Sequence, residues 1–361
     1  MTDQPVAQKV KFYQTGTHTV GNRLMTEDER SVQASMDRSN AITSGHRACQ
    51  GCGEALGARY ALDAAMRASR GKIVAVNATG CLEVFTTPYP ETSWQIPWLH
   101  SLFGNAPAVA TGVAAAYRVK NKDARVIAQG GDGGTTDIGF GCLSGMWERN
   151  DDVLYICYDN EAYMNTGVQR SSSTPHGART TTSPPGRLSQ GKHHFKKDVL
   201  SIIAAHHMPY AATATVAYFP DLKAKVEKAL SMQGPRFLQV LSPCPLGWDH
   251  EAALSVSVSR LAVETGLFPL VELEYGSVTG VMRLAQQRPV EDYLKVQGRF
   301  KHLFNSKEGA VEVRHLQALA DRRIQHYGLL DTPTEWDTLR ATQVQRHGRG
   351  GYPVMGEDTV Q

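Results

Sequence analysis

A glycine–aspartate–glycine motif stands where the chain passes from a predicted strand to a predicted helix. Gly131, Asp132 and Gly133 follow the apolar run at residues 125–129. Glycines let the backbone approach a diphosphate closely, and the free N–H groups at a helix N-terminus point toward such an anion. The Asp132 carboxylate would repel a phosphate unless a divalent cation bridged them, and Mg²⁺ commonly combines one or two side chains with phosphate oxygens. On its own, the motif is equally compatible with a hairpin turn.

A second polar group follows the next predicted strand, which covers residues 152–158. Asn160 stands just after it, one strand–helix unit beyond Asp132. Because neighbouring parallel strands bring their carboxyl ends to the same edge of a sheet, both side chains can reach one ion. This pairing resembles the thiamine-diphosphate motif, in which the Asp, the later side-chain oxygen and a backbone carbonyl two residues on hold Mg²⁺. The ligands that the resemblance implies are Asp132, Asn160 and the carbonyl of Ala162.

Cysteines form the other group that can do chemistry. Four of the six fall on predicted loops, namely Cys49, Cys52, Cys81 and Cys244. Cys142 lies in a predicted helix and Cys157 in an apolar strand, so both are expected to be structural thiols. Four thiolates can bind zinc or a 4Fe-4S cluster, and spacing alone does not choose between them. The CxxC pair at residues 49–52 is also compatible with a redox dithiol.

A set of short segments narrows these alternatives. It consists of ACQGCGE at 48–54, ATGCLEVFTTPYP at 78–90, GDG at 131–133, YMNTG at 163–167, STP at 173–175 and CP at 244–245. Over about residues 45–250 the chain resembles the beta chain of pyruvate:ferredoxin oxidoreductases. The resemblance implies that Cys49, Cys52, Cys81 and Cys244 bind a 4Fe-4S cluster. It also implies that Asn165 lies near the substrate and the thiazolium ring of thiamine diphosphate.

The resemblance further implies an activity and a set of partners. The activity is the oxidative decarboxylation of a 2-oxoacid to acyl-CoA and CO₂, with one-electron transfer through the cluster to ferredoxin or another acceptor. The partners are subunits of alpha, gamma and ferredoxin-like delta type. Glu83 is a poor choice for the glutamate that thiamine enzymes place on the aminopyrimidine, because it stands two residues from Cys81. In split-chain members of the family that glutamate comes from a partner subunit.

Hydrophobic periodicity predicts strands alternating with helices, which is typical of an α/β fold with a doubly wound parallel sheet. The resemblance specifies this fold as the thiamine diphosphate-binding type. Helices are predicted at residues 53–67, 106–119, 136–149, 198–207 and 220–232. Strands are predicted at residues 72–76, 125–129, 152–158, 210–216 and 235–241.

Three regions are expected along the chain. Residues 1–44 are polar and form an N-terminal arm, residues 45–250 form the thiamine diphosphate and 4Fe-4S domain, and residues 251–361 form an extension that packs on partner subunits. The long segment at residues 167–192 has four basic residues and no acid. It is interpreted either as a mobile surface loop or as a lid or docking segment, since loops of this length are usually functional or disordered.

Composition excludes several classes of protein. The 361 residues carry a net charge of +3, which gives no electrostatic basis for a nucleic-acid or membrane-surface partner. The N-terminal 13 residues lack a signal-peptide core, and the small-apolar run at 106–117 is too short to span a bilayer. We therefore expect a cytoplasmic protein, whose cysteines serve metal binding, catalysis or packing and not disulfides.

Two other classes remain open from the residues alone. One is a non-redox thiamine lyase with structural zinc, and the other is an inactive scaffold that keeps the fold. Within the favoured class, an aryl 2-oxoacid such as phenylglyoxylate, with electrons passed to NAD by other subunits, is an alternative to pyruvate.

Overall fold

The computed structural model describes residues 40–330, apart from residues 44, 89–91 and 188, and the backbone of one hairpin before them. That hairpin pairs β1 (Lys11–Thr15) with β2 (His18–Asn22) in antiparallel fashion, within the predicted N-terminal arm. The other residues before 40 and the tail from residue 331 lie outside the described residues. No helix among the described residues is long and apolar enough to cross a membrane.

Ten further strands follow this hairpin among the described residues. They are β3 (Ile73–Ala78), β4 (Trp98–Ser101), β5 (Arg125–Gly131), β6 (Val153–Asp159), β7 (Pro185–Gly186), β8 (Ser189–Gln190), β9 (Tyr210–Thr215), β10 (Arg236–Leu241), β11 (Val271–Glu274) and β12 (Ser277–Val281). Eight of them make one sheet in the order β12-β11-β9-β10-β6-β5-β3-β4, while β7 and β8 form a separate hairpin. The six strands from β9 to β4 run parallel, and β11 and β12 add an antiparallel edge.

Helices cover both faces of this sheet. They are α1 (Gly53–Ala68), α2 (Cys81–Thr86), α3 (Ala106–Val119), α4 (Phe140–Glu148), α5 (Val199–Ala204), α6 (Phe219–Ser231), α7 (Pro245–Trp248), α8 (Ser255–Glu264), α9 (Val290–Lys295) and α10 (Lys307–Tyr327). Side chains alternate across each strand, so Ile73 packs with Leu62 of α1 on one face and Val74 packs with Leu143 of α4 on the other. The predicted doubly wound α/β fold is therefore confirmed.

Some elements differ from the prediction. The helix expected at residues 136–149 begins instead with a π-helical turn, Gly134–Ile138. The Thr135 and Thr136 hydroxyls donate to the carbonyls of Gly131 and Asp132, which ties this turn back to the end of β5. The elements that were not predicted are β4, β7, β8, α2, α7 and everything after α7. The short strands among them lack a clear alternation of apolar residues.

The central strands set the stability of the sheet. Ile127 of β5 is fully buried, so Ile127→Ala should lower the free energy of unfolding by about 2–5 kcal/mol through lost burial and an unfilled cavity. The control is Val119→Ala at the exposed end of α3, which should change it by less than about 0.5 kcal/mol. Denaturant titration of the purified chain measures both, and equal midpoints for the two variants would contradict this view of the core.

Candidate functional site

Asp132 stands directly after β5 and is fully buried. The Ser171 hydroxyl donates to its Oδ2 at 2.5 Å, whereas Oδ1 has no hydrogen-bond partner among the described residues. Burial, with the neighbouring Asp159 carboxylate, raises the pKa of Asp132 well above its usual value. Burying an ionised carboxylate costs free energy unless a positive charge pairs with it. The position of Asp132 therefore favours a bound cation.

Asn160 stands directly after β6, on the strand adjacent to β5. Its Nδ2 donates to Glu54 Oε2 at 2.9 Å, and its backbone carbonyl accepts from the Trp248 indole at 2.7 Å. Its Oδ1 is buried and, like Asp132 Oδ1, has no hydrogen-bond partner among the described residues. Buried oxygens are nearly always satisfied, so these two atoms could hold a hard cation such as Mg²⁺. Ala162 lines the same cleft.

Glu54 is a site residue that the sequence analysis missed. It lies in the first turn of α1, is buried, and lines the cleft with Asp132 and Asn160. Its Oε1 accepts from the Leu82 backbone N–H at 3.1 Å, and burial raises its pKa to about 7. A signal was present, since Glu54 falls at i−4 from the buried Ala58 and thus on the inward face of α1.

Three of the four loop cysteines stand where helices begin. The Sγ of Cys52, the N-cap of α1, accepts from the Ala55 N–H at 3.4 Å. The Sγ of Cys244 accepts from the Gly247 N–H at 3.4 Å, and Cys81 is the first residue of α2. Amide hydrogen bonds of this kind stabilise thiolates and tune iron–sulfur clusters.

The four sulfurs converge on one region. Burial raises the pKa of Cys52 to about 12, with further contributions from Glu54 and Cys244. Burial also raises the pKa of Cys81, and the charges of Glu54, Cys244 and Cys52 add to this shift. The pKa of Cys244 is raised by burial, with smaller effects of Glu54 and Cys49. Cys52, Cys81 and Cys244 therefore lie near one another, and Cys49 lies near Cys244.

Cys142 and Cys157 lie elsewhere. Cys157 is fully buried inside β6, and Cys142 is partly buried on α4. Among the described residues, the group in which three potential metal-ligand atoms come within 4.8 Å of one another contains no cysteine. The choice between zinc and a 4Fe-4S cluster therefore rests on the resemblance described above, since four thiolates can bind either.

A glycine inside the CxxC pair makes this convergence possible. Gly51 adopts φ +70°, which L residues rarely tolerate, and the backbone of Ala252 packs against its Cα. The Ser255 hydroxyl donates to the Gly51 carbonyl at 2.5 Å, and the Gly53 N–H donates to the Pro243 carbonyl at 2.9 Å. Segments some 200 residues apart in sequence therefore meet at the CxxC turn.

A buried ion network lies behind the cleft. Lys196 bridges Asp159 and Glu161 at 2.5 and 2.8 Å, and Arg299 binds Glu161 at 2.6 Å. Burial alone would raise the pKa of Glu161, but Lys196 and Arg299 hold it below its usual value. The Arg299 guanidinium also stacks on Trp248 at 3.9 Å. These partners could not be predicted from sequence patterns, because they come from distant segments.

The segment at residues 167–192 packs into this site, which excludes a detached surface loop. Ser171, Ser173 and Thr174 are buried, and the Thr174 hydroxyl donates to the Glu161 carbonyl at 2.6 Å. Lys192 Nζ donates to the Ser172 carbonyl at 2.9 Å. Through Ser171 the segment also holds Asp132, a residue that lines the cleft.

Asn165 lies at the mouth of the cleft. Its side chain is exposed, and its hydrogen bond to the Cys81 thiol partly offsets the rise in the pKa of that thiol. The neighbouring Tyr163 ring occupies the space where a Cβ on Gly133 would stand, so only glycine fits there. The cleft therefore brings together the predicted metal motif, one of the loop cysteines and Asn165.

A family model matches the central part of the chain. Residues 78–240 match the family described as thiamine pyrophosphate enzyme, C-terminal TPP binding domain. This region runs from the end of β3 to β10 and includes Cys81, Asp132 and Asn160. The chain thus contains the domain that this family describes.

Sequence relatives identify the family more closely. The chain is 49% identical over 290 residues to the pyruvate synthase subunit PorB of Methanosarcina barkeri, which covers 80% of this chain and 97% of the relative. It is 46% identical over 295 residues to the PorB subunit of Pyrococcus furiosus, with 75% and 89% covered. The chain belongs to the pyruvate synthase subunit PorB family. The resemblance to the beta chain of pyruvate:ferredoxin oxidoreductases is therefore confirmed, as is an enzyme subunit of oxidoreductase class.

Two further comparisons bear on fold and specificity. The 2-oxoglutarate:ferredoxin oxidoreductase from Magnetococcus marinus has a similar fold, with a TM-score of 0.50 and 22% identity over 62% of this chain and 81% of that chain. The ketoisovalerate oxidoreductase subunit VorB of Pyrococcus abyssi is 45% identical over 268 residues, with 72% and 85% covered. The sequence relatives named for pyruvate and for ketoisovalerate thus have similar sequence identity to this chain.

The contact between Glu54 and Asn160 leads to a prediction about metal binding. Both carboxylate oxygens of Glu54 accept hydrogen bonds, one from Asn160 Nδ2 and one from the Leu82 N–H. A Gln side chain at position 54 would replace one of these oxygens with an NH₂ group. In either orientation that NH₂ group would face another donor, so one of the two hydrogen bonds would be lost. Glu54→Gln should therefore weaken Mg²⁺-dependent thiamine diphosphate binding by about 10- to 100-fold, as changes to outer-shell partners of metal ligands do. Calorimetric titration of the cofactor at several Mg²⁺ concentrations measures the effect.

Two variants control this experiment. Asp132→Ala removes the carboxylate itself and should abolish the Mg²⁺ dependence. Glu83→Gln alters a carboxylate that accepts from Thr87 and does not line the cleft, so it should leave the affinity unchanged. An unchanged affinity in Glu54→Gln would refute the role given to Glu54.

Proposed function

We propose that this chain is the thiamine diphosphate- and 4Fe-4S-binding subunit of a pyruvate:ferredoxin oxidoreductase. The complex would convert pyruvate and coenzyme A to acetyl-CoA and CO₂ and pass single electrons to ferredoxin. Support for pyruvate comes from the names of the relatives that are 46–49% identical. Support for the cofactors comes from the chemistry of the cleft.

One observation carries the proposal. The Oδ1 atoms of Asp132 and Asn160 are both buried without hydrogen-bond partners among the described residues, on adjacent strand ends. These two oxygens and the carbonyl of Ala162 would hold Mg²⁺, and the Gly131–Gly133 turn would let the backbone approach the diphosphate. Bound thiamine diphosphate would supply the electron sink for decarboxylation, and the cluster would accept electrons singly.

The residues of this chain would then position the reacting groups. Cys81 lines the same cleft as Asp132, so an adjoining cluster would lie close to the thiamine. Asn165, at the mouth of the cleft, would contact the 2-oxoacid. The 171–174 segment would fix Asp132 through Ser171 and exclude water from the buried side of the metal site.

Partners and location form part of the proposal. We expect alpha, gamma and ferredoxin-like delta subunits, with residues 251–361 contributing to subunit contacts and residues 45–250 holding both cofactors. All six cysteines of the chain are free in the structure, and we expect a cytoplasmic location because free thiols persist in that reducing compartment.

Composition and turnover separate this proposal from its alternatives. Iron and acid-labile sulfide in the anaerobically purified complex would exclude a zinc-containing lyase, and bound thiamine diphosphate would exclude a scaffold. Turnover across pyruvate, branched 2-oxoacids and phenylglyoxylate would identify the substrate. Faster turnover of a branched or aryl 2-oxoacid than of pyruvate would contradict the assignment to pyruvate.

The ligand set predicts which cysteine substitutions remove iron. Cys244→Ser should lower the iron content of the anaerobically purified chain strongly, because Cys244 lies near the other three cysteines of the set. Cys142→Ser and Cys157→Ser should leave the iron content unchanged, and Cys142 is the better matched control because it is also partly buried. Equal iron loss in all three variants would disprove the ligand set.

A further prediction concerns the isolated chain. Formation of the thiamine ylide needs a carboxyl group on the aminopyrimidine. Glu54 and Asp132 are the carboxylates among the described residues that line the cleft. Both Glu54 oxygens accept hydrogen bonds within the chain, and Asp132 is assigned to the metal. The isolated chain should therefore bind thiamine diphosphate and the cluster but fail to oxidise pyruvate.

The test uses the chain purified alone, reconstituted with Mg²⁺, thiamine diphosphate and cluster, and supplied with pyruvate and a redox dye. The control is the intact complex at the same cofactor occupancy. Dye reduction by the single chain at the rate of the complex would mean that the whole active site is encoded in this chain.

A further inference from the structure

A second group of metal-ligand side chains lies outside the cleft. His176 Nε2 lies 2.5 Å and His315 Nδ1 lies 2.9 Å from the same oxygen, Glu312 Oε2. The three potential ligand atoms are all within 4.8 Å of one another. Two imidazoles and one carboxylate are the donor set that Zn²⁺ and related divalent metals prefer.

The hydrogen bonding of His176 prepares one of its nitrogens for a cation. Its Nδ1 lies 2.7 Å from the His193 carbonyl, which can only accept, so Nδ1 carries the proton. A neutral His176 then turns the lone pair of Nε2 toward the Glu312 carboxylate. Two acceptors at 2.5 Å repel each other unless a positive charge lies between them, either a second proton or a metal ion. Outer-shell bonds of this kind are typical of metal-binding histidines.

The other two ligands stand on a rigid element. Glu312 and His315 are separated by three residues on α10, so both project from the same face. The next residues on the buried side, Val313 and Leu316, pack in a core shared with α8 and α9. Glu-x-x-His pairs on a helix are an established metal-binding arrangement. A metal at this point would need little rearrangement of the backbone.

His176 is held in place from its other sides. It is 8% exposed, and the Phe195 ring packs against it with 4.8 Å between ring centroids. His315 is half-exposed by contrast, so water can reach the group from that side. Three protein ligands with a solvent-accessible fourth position match an open zinc site.

We infer that His176, Glu312 and His315 form a binding site for one Zn²⁺-class divalent cation. The ion would replace the close acceptor–acceptor contact with three coordinate bonds. It would join α10 to the segment that carries His176. Thr174, two residues earlier in that segment, donates to the Glu161 carbonyl, and Ser171 holds Asp132. The proposed ion would therefore hold in place the segment that contacts Asp132 and Glu161, and the inference of this metal site does not depend on the function proposed above.

The experiment is a calorimetric titration of the full chain with ZnCl₂. The chain is purified anaerobically, freed of loosely bound metal, and kept in excess Mg²⁺. The wild type should bind one equivalent of Zn²⁺ more than His315→Ala, and Zn²⁺ should raise its melting temperature. Comparing variants cancels any Zn²⁺ taken up by the cysteines, so the result is independent of cluster content.

Two further variants make the outcome decisive. Glu312→Gln keeps the size of the side chain and should also lose the extra equivalent. His207→Ala removes an exposed histidine outside the group and should retain it. Since His315 is half-exposed, its substitution should leave the fold intact, which circular dichroism checks. Equal Zn²⁺ stoichiometry in the wild type and His315→Ala would overturn the inference and leave an imidazolium–carboxylate ion pair.

Discussion

The site depends on an excess of buried negative charge at the carboxyl ends of β5 and β6. Lys196 and Arg299 neutralise Asp159 and Glu161, but no cationic side chain among the described residues contacts Asp132. Ser171 satisfies only one of the two oxygens of Asp132. An isolated buried carboxylate costs several kcal/mol unless it is protonated or paired. The divalent cation proposed for the cleft would meet this requirement through the unpartnered Oδ1 of Asp132.

Residues far along the chain complete this arrangement. Arg299 comes from a 3₁₀ segment after α9, and its guanidinium lies between Glu161 and Trp248. The Trp248 indole in turn donates to the Asn160 carbonyl. The region after residue 250 therefore stabilises the site directly, in addition to any contact that it makes with other subunits. Without Arg299, the only cationic partner of Glu161 among the described residues would be Lys196. Lys196 also pairs with Asp159, so Glu161 would be only partly neutralised.

Sequence patterns predicted what depends on local periodicity and spacing. The alternation of apolar runs placed β3, β5 and β6, and the strand-end positions of Asp132 and Asn160 followed from it. Spacing places Glu54 on the inward face of α1, but an acidic residue in the first turn of a helix is ordinarily solvent-exposed, and only tertiary packing buries this one. Lys196 was missed for the same reason. Edge strand β12 has largely exposed side chains, and pairing with β11 decides its conformation.

Helix α1 links the two halves of the site. Its N-cap Cys52 belongs to the proposed cluster set, and Glu54, two residues later, holds the Asn160 amide with its Oδ1 turned to the cleft. Glu54 also binds the backbone of Leu82, next to Cys81. A shift of Cys52 or Cys81 would thus move the carboxylate that orients Asn160. Because the Glu54–Asn160 contact is short, buried and made by a helix terminus, the proposed cluster and the proposed metal would be mechanically coupled through α1 within this one chain.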